Sequence, residues 1–232
     1  MSEKNIKIMA IDDYQNQAIS DDTVSIFVNG NQPTVSHAGF KHFNGLDNGA
    51  NYLTVESDIF GHYDAYLDLT EENDSGNGVI YLRLQPTHRY PLERNVKAIW
   101  GRTEPGKELH FVFIDSKERY FLGGDYTAGD KEICIQHQQT AFFNGTLWSL
   151  QSKDGQNEEF WIEKAIGRNI YSLRYQLNRS YEKGKCLLRR VYPVIADESG
   201  DFFLPVPKEE ENVTEYRYYM PLDKRVIKTG TL

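Results

Sequence analysis

Short apolar stretches of two-residue period, cut by turn residues every 8–12 positions, dominate the first part of this chain. Val24, Ile26 and Val28 alternate with Ser25, Phe27 and Asn29. Tyr52, Thr54 and Glu56 alternate with Leu53 and Val55, and Tyr63, Ala65, Leu67 and Leu69 share one face of the next stretch. Such a period places alternate side chains on opposite faces of a strand. Asn29-Gly30-Asn31 and Asp47-Asn48-Gly49 supply turns, because Asn and Gly tolerate positive φ. With residues 5–11 and 79–84 added, about six or seven strands fall within roughly 85 residues, the pattern of a β-sandwich.

Pro86 and Pro91 bracket Thr87-His88-Arg89-Tyr90. Two prolines so close stop a ladder and stiffen a connector. A domain boundary is therefore expected here, giving an acidic sandwich over 1–88 and a second β-rich domain with an insertion over 89–232. The second part again reads as strands: 96–101, 109–114 with Phe111 and Phe113 on one face, 120–122, 133–136, 146–151, 170–177, 187–195, 202–206 and 216–220. Residues 158–166 fit helical spacing as well as an extended strand, with the strand preferred. Pro193 marks its strand as edge or bulged. The tail after Lys224 reads as loose. The predicted fold class is all-β, two tandem β-sandwich domains.

Composition narrows the function classes. Of 232 residues, 12 are Phe, 15 Tyr and 3 Trp, too many aromatics for a disordered chain. No apolar run approaches the ~18 residues of a membrane helix. The 34 acidic and 26 basic residues give −8. Residues 1–90 hold 13 and 5 of these, so all the excess lies there, and 91–232 balance at 21 and 21. A field of that sign repels phosphate backbones, so neither nucleic acid nor membrane is an expected partner. The start, Met1-Ser2-Glu3-Lys4-Asn5-Ile6, lacks the basic and apolar regions of a cleaved signal, so synthesis in the cytosol is expected. Cys134 and Cys186 then read as reduced structural residues.

The run Gly39-Phe40-x-x-Phe43-x-Gly45-Leu46-x-x-Gly49-x-x-Tyr52-x-Thr54-Val55 resembles the carboxypeptidase regulatory-like domain, a transthyretin-like sandwich related to collagen-adhesin B-type modules. The resemblance implies that Phe40, Leu46 and Tyr52 fill a core while Gly45 and Gly49 serve tight turns. Ala196-Asp197-Glu198-Ser199-Gly200-Asp201-Phe202-Phe203-Leu204 resembles a hairpin of the same family. It implies that the second part is a divergent or elaborated copy with an insertion between about Tyr120 and Lys185. Residues 81–91 are similar to the junction of bacterial two-domain proteins encoded beside phage-tail or contractile-particle genes. That similarity implies a structural component of a phage tail, baseplate or contractile injection particle, whose partners are other protein subunits of an assembly.

Motifs for chemistry are sparse. The sequence holds no Gly-x-Ser-x-Gly, phosphate loop, Gly-x-Gly-x-x-Gly, His-Glu-x-x-His or Cys-x-x-Cys. His37, His42 and His62 lie close in sequence, and Asp197, Ser199 and Asp201, like Asn73, Ser75 and Asn77, alternate as oxygen donors. Isolated histidines and plain turns are the commoner reading of each, so no metal and no cofactor is expected. Lys7 lies where B-type modules carry an isopeptide lysine, but 79–84 contains no Asn or Asp, so no such bond is expected. The candidate contact residues are Trp100, Trp148, Trp161, Tyr216, Tyr218 and Tyr219, since large amphipathic rings anchor protein interfaces and stack on sugars. The expected function is non-catalytic docking on other subunits. The alternative is a carbohydrate-binding or adhesion module, which needs two or three of these rings coplanar on one exposed face.

Overall fold

A computed structural model of the chain describes residues 4–20, 23–37, 39–70, 79–116, 120–137, 143–155, 157–221 and 226–232. The oxygen-donor triplet of Asn73, Ser75 and Asn77 lies outside them. The chain is all-β, and among the described residues no helix is long and apolar enough to cross a membrane. Two compact units divide it, residues 1–94 and 95–232.

The first unit contains β1 (Lys4–Asp12), β2 (Gln17–Ala18), β3 (Ser25–Val28), β4 (Val35–His37), β5 (Phe40–Leu46), β6 (Ala50–Glu56), β7 (Tyr63–Asp68) and β8 (Val79–Leu84). One sheet is centred on β1, with β5 then β4 antiparallel on one flank and β8 parallel on the other. The short β2 pairs with the end of β1 at Ile11 and Asp12. The second sheet runs β3-β6-β7. Each sheet buries one alternating face: Ile6, Ile8, Phe43, Leu82 and Leu84 in the first, Ile26, Val28, Leu53 and Val55 in the second.

Two expectations from the resemblance change here. Tyr52 is 39% exposed, because the phase of β6 turns Asn51, Leu53 and Val55 inward. Buried Asn51 ties the turns on either side: its amide donates to the carbonyls of Asp47 (2.9 Å) and Gly49 (3.0 Å), and its Oδ1 accepts from Asn29 Nδ2 (2.9 Å). Gly45 makes a bulge within β5 rather than a turn. The register against β1 shifts between Lys4 and Ile6, Gly45 has φ +68°, and its N–H donates to Asn5 Oδ1 at 3.2 Å. Tyr90 closes this unit. Its ring packs edge-on against Tyr14 and Phe60 at 5.7 and 5.5 Å, and its hydroxyl donates to buried Asp12.

The second unit contains β9 (Ala98–Arg102), β10 (Glu108–Phe113), β11 (Phe121–Leu122), β12 (Glu132–Gln136), β13 (Leu147–Ser152), β14 (Asn157–Gly167), β15 (Ile170–Leu173), β16 (Cys186–Ile195), β17 (Asp201–Pro205), β18 (Glu215–Tyr219) and β19 (Val226–Thr231). Residues 158–166 are thus strand, and the tail is not loose, since β19 pairs with β18. A nine-stranded antiparallel sheet runs β11-β12-β15-β14-β13-β16-β10-β18-β19, and β9 and β17 form a separate ribbon.

The first six strands of that order close on themselves. An antiparallel bridge between Tyr120 and Leu188 brings the start of β11 back to β16, making a six-stranded barrel. Its interior holds Leu122, Ile133, Ile135, Leu150, Ile162, Leu173 and Leu188 around Trp148. β16 then continues past the barrel into a sandwich. There the inner faces of β10 and β16 (Leu109, Phe111, Phe113, Tyr192, Val194) pack with Ile99 of β9 and Phe202 and Leu204 of β17.

Candidate interaction site

The outer face of the β9–β17 ribbon follows from the alternation of Ala98-Ile99-Trp100-Gly101-Arg102. Ile99 points into the sandwich core and Trp100 points out, 82% exposed, across from half-buried Phe203. Both ends of the ribbon are fastened. At one end Asp197 Oδ1 accepts from the N–H groups of Ser199 (2.8 Å) and Asp201 (3.0 Å), and the Asp201 carboxylate grips Arg102 through Nε (2.7 Å) and Nη2 (3.1 Å). Gly200 in this turn has φ +82°, and a Cβ there would meet the Thr103 carbonyl oxygen at 2.2 Å, so both conformation and space demand glycine. At the other end the Val206 N–H donates to Lys97 O at 2.9 Å, and Lys97 Nζ donates to Val213 O at 3.1 Å. On the inner side, Phe202 lies across from Gly101, with its ring 2.8 Å from where a glycine Cβ would stand. A large ring is thus held out to water on a braced platform.

The other five candidate rings do not join it. Trp148 is wholly buried, packed edge-on against Tyr120 and Phe143 at 4.8 and 4.9 Å, with its indole N–H donating to Thr146 Oγ1 at 2.7 Å. It is the centre of the barrel and reaches no partner. Tyr219 is buried on the opposite face of the sheet with Val112, Leu147 and Val191. Trp161 half-covers that cluster and is itself covered by Arg174, whose Cζ lies 5.1 Å from the ring. Tyr216 and Tyr218 stack at 6.5 Å, but they pack on the sandwich core, Tyr218 at 5.1 Å from Phe111. A row of coplanar exposed rings is therefore not formed by these six residues.

Beside Tyr219 stands a polar group that sequence reasoning missed. His110, 4% exposed, donates from Nδ1 to both Glu159 oxygens (3.1 Å each) and from Nε2 to Glu108 Oε1 (3.0 Å), while Tyr219 also donates to Glu159. Burial alone lowers an imidazole pKa, but the two carboxylates outweigh it and push His110 up to about 9. An imidazolium locked between two acceptors is a clamp across β10, β14 and β18 rather than a base. Its signal in the sequence, His between Glu108 and the aromatic Phe111, names no distant partner. A second buried pair joins the two cores: Arg190, between the barrel and the sandwich on one face of β16, lies over the Tyr192 ring (4.6 Å) and pairs with Glu209. Glu209 also accepts from Tyr192 Oη at 2.9 Å. In the first unit Arg83 bridges buried Asp13 and Asn16 at 2.8 Å each. Burial raises the Asp12 pKa, against the lowering effect of its bonds from Tyr90, Gln15 and Tyr14.

His37 and His42 lie on neighbouring strands, whereas His62 pairs with Asp64 at 2.8 Å beside the other sheet. Among the described residues, no group of three His, Cys, Asp or Glu side chains is placed to hold a metal ion. Cys134 and Cys186 are free thiols, and burial pushes the Cys186 thiol up.

No protein-family model matches the chain, and no curated protein matches it. Among solved structures it is similar to BcpA, the major pilin subunit of Bacillus cereus, at 7% identity and a TM-score of 0.25, over 95% of this chain and 88% of that chain.

Proposed function

We propose that this protein is a non-catalytic structural subunit that docks on other protein subunits through the outer face of the β9–β17 ribbon. The observation that carries the proposal is Trp100, 82% exposed on a ribbon braced at both ends. Burying an indole of that size removes a large apolar area from water, and aromatic anchors of this kind dominate interface energetics. The buried titratable groups support a structural role, since Asp12, Asp13, Glu159, His110 and Arg190 each make a bond that joins strands or turns. The finer reading is a component of a phage tail, baseplate or contractile injection particle, made in the cytosol and incorporated into it. Its support is the similarity of residues 81–91 to the junction of such proteins. A sugar-binding reading would need several rings side by side, and Trp100 stands apart from the other five.

The test is capture of the proteins encoded by the neighbouring genes on the tagged protein. Trp100→Ala should weaken capture about 30-fold, as loss of a ~2 kcal/mol anchor does, with the thermal midpoint unchanged. Equal capture by wild type and variant removes the ribbon face as the docking surface.

A further inference from the structure

The ribbon has two edges as well as a face, and its register decides what each edge presents. Thr103 N–H donates to Gly200 O at 2.8 Å, and Val206 N–H donates to Lys97 O at 2.9 Å. These bonds set the phase of the ladder. Residues 97, 99, 101 and 103 turn their N–H and C=O toward β17, while Ala98, Trp100 and Arg102 turn theirs away. On β17 the outward residues are Asp201, Phe203 and Pro205.

The two edges are treated differently. That of β17 is closed at both ends. The Asp201 N–H is taken by Asp197 Oδ1, its carbonyl accepts from the Asp197 N–H at 2.8 Å, and Pro205 has no N–H to offer. That of β9 has no such device. Among the described residues β9 pairs with β17 alone, and no backbone bond engages the outward groups of Ala98, Trp100 or Arg102. Exposed edges are ordinarily blunted by charge or proline. The one charge on β9 is Arg102, and it is neutralised by Asp201.

We infer that β9 pairs antiparallel with β9 of a second copy of this chain, about a two-fold axis at Trp100. This rests on the reading of the ribbon as a docking element and names its occupant. The register is self-complementary. Trp100 faces Trp100 of the second copy as a hydrogen-bonded pair, and Ala98 faces Arg102, so all three outward residues find partners at once. Two ribbons become one four-stranded sheet, with Phe203 and Trp100 of each copy in a continuous aromatic row on its outer face. Alanine opposite Arg102 leaves room for the Arg102–Asp201 pair. Charge also permits it. Residues 1–94 hold 14 acidic and 6 basic residues, so the remaining 20 and 20 leave the second unit neutral. The edge strand β7 of the first unit, by contrast, carries Asp64 and Asp68 within a unit of net −8, which a second copy would repel.

Sedimentation equilibrium of the full chain over a concentration series tests the inference. The wild type should show a reversible dimer. Ala98→Pro removes an outward N–H that the chain itself does not use, and should weaken the dimer at least about tenfold. Trp100→Ala leaves the ribbon backbone intact and should weaken it by a similar factor, so the result does not hang on whether the proline variant folds. Far-UV circular dichroism should be unchanged in both. A monomer at every concentration, or a dimer of equal strength in both variants, overturns the inference. A monomer whose capture of neighbouring-gene products still depends on Trp100 would overturn self-pairing while leaving the docking reading standing. Capture indifferent to Trp100 would overturn that reading separately.

Discussion

His110 binds its proton more tightly in the folded protein than an unperturbed histidine does, its pKa rising from 6.5 to about 9. A raised folded pKa makes stability full below the unfolded value, and that stability is lost as pH climbs through the folded one. The window is therefore pH 6.5 to 9, and the loss across it is up to about 3 kcal/mol. Urea midpoints measured between pH 6 and 10 should fall for the wild type and fall less for His110→Gln. Parallel slopes would mean that the imidazolium does not bridge Glu159 and Glu108. The sequence does not disclose this clamp, because Glu159 is 49 residues away from His110. Nor does it separate the tryptophans. Trp148 and Leu147 are adjacent, and both are buried because the barrel covers one face of β13 and Trp161 half-covers the other. Trp100 alternates cleanly with Ile99, but period alone says only that the two point opposite ways, not which points in.

At the scale of elements, β16 carries the most. Its alternation is plain in the sequence, but Pro193 does not make it an edge or bulged strand: β16 lies between β13 and β10, and its register shows no shift. The structure supplies the reason. Ala196 N–H donates to Lys107 O at 2.9 Å, a phase that turns the Pro193 nitrogen away from β10. On that side β13 has already ended at Leu147, opposite Val191, so no bond is forfeited. What the sequence hides is that one strand serves two cores, with Arg190 at the joint. The Arg190 side chain is 1% exposed, and removal of Glu209 takes a carboxylate from beside a buried charge. Glu209→Ala should therefore cost about 3–5 kcal/mol in urea unfolding. Arg190→Met combined with Glu209→Met should cost distinctly less than the two single changes added together, since apolar side chains of similar volume replace a buried pair with little penalty. Strict additivity would show that the two groups do not interact.

For the whole molecule, the described cores of the second unit are built from its own residues. The barrel core draws on residues from Tyr120 to Leu188, the sandwich core on residues from Ile99 onward, and the outer cluster on Val112, Leu147, Val191 and Tyr219. The buried residues of the first unit run from Ile6 to Tyr90. The turn-punctuated alternation made the all-β class legible, but barrel closure was not, because the Tyr120–Leu188 bridge joins residues far apart in sequence and local period carries no trace of it. Because the described cores of residues 95–232 draw on that unit's own side chains, the fragment expressed alone should keep a cooperative thermal transition. The fragment should also keep the near-ultraviolet dichroism of Trp148 clamped between Tyr120 and Phe143, and its midpoint should lie within a few degrees of the corresponding transition of the full chain. It should elute from an anion exchanger well before residues 1–94, which carry the whole excess of −8. A fragment that keeps far-ultraviolet strand signal but loses the Trp148 band would be a molten barrel, and the second unit would then depend on the first for its packing.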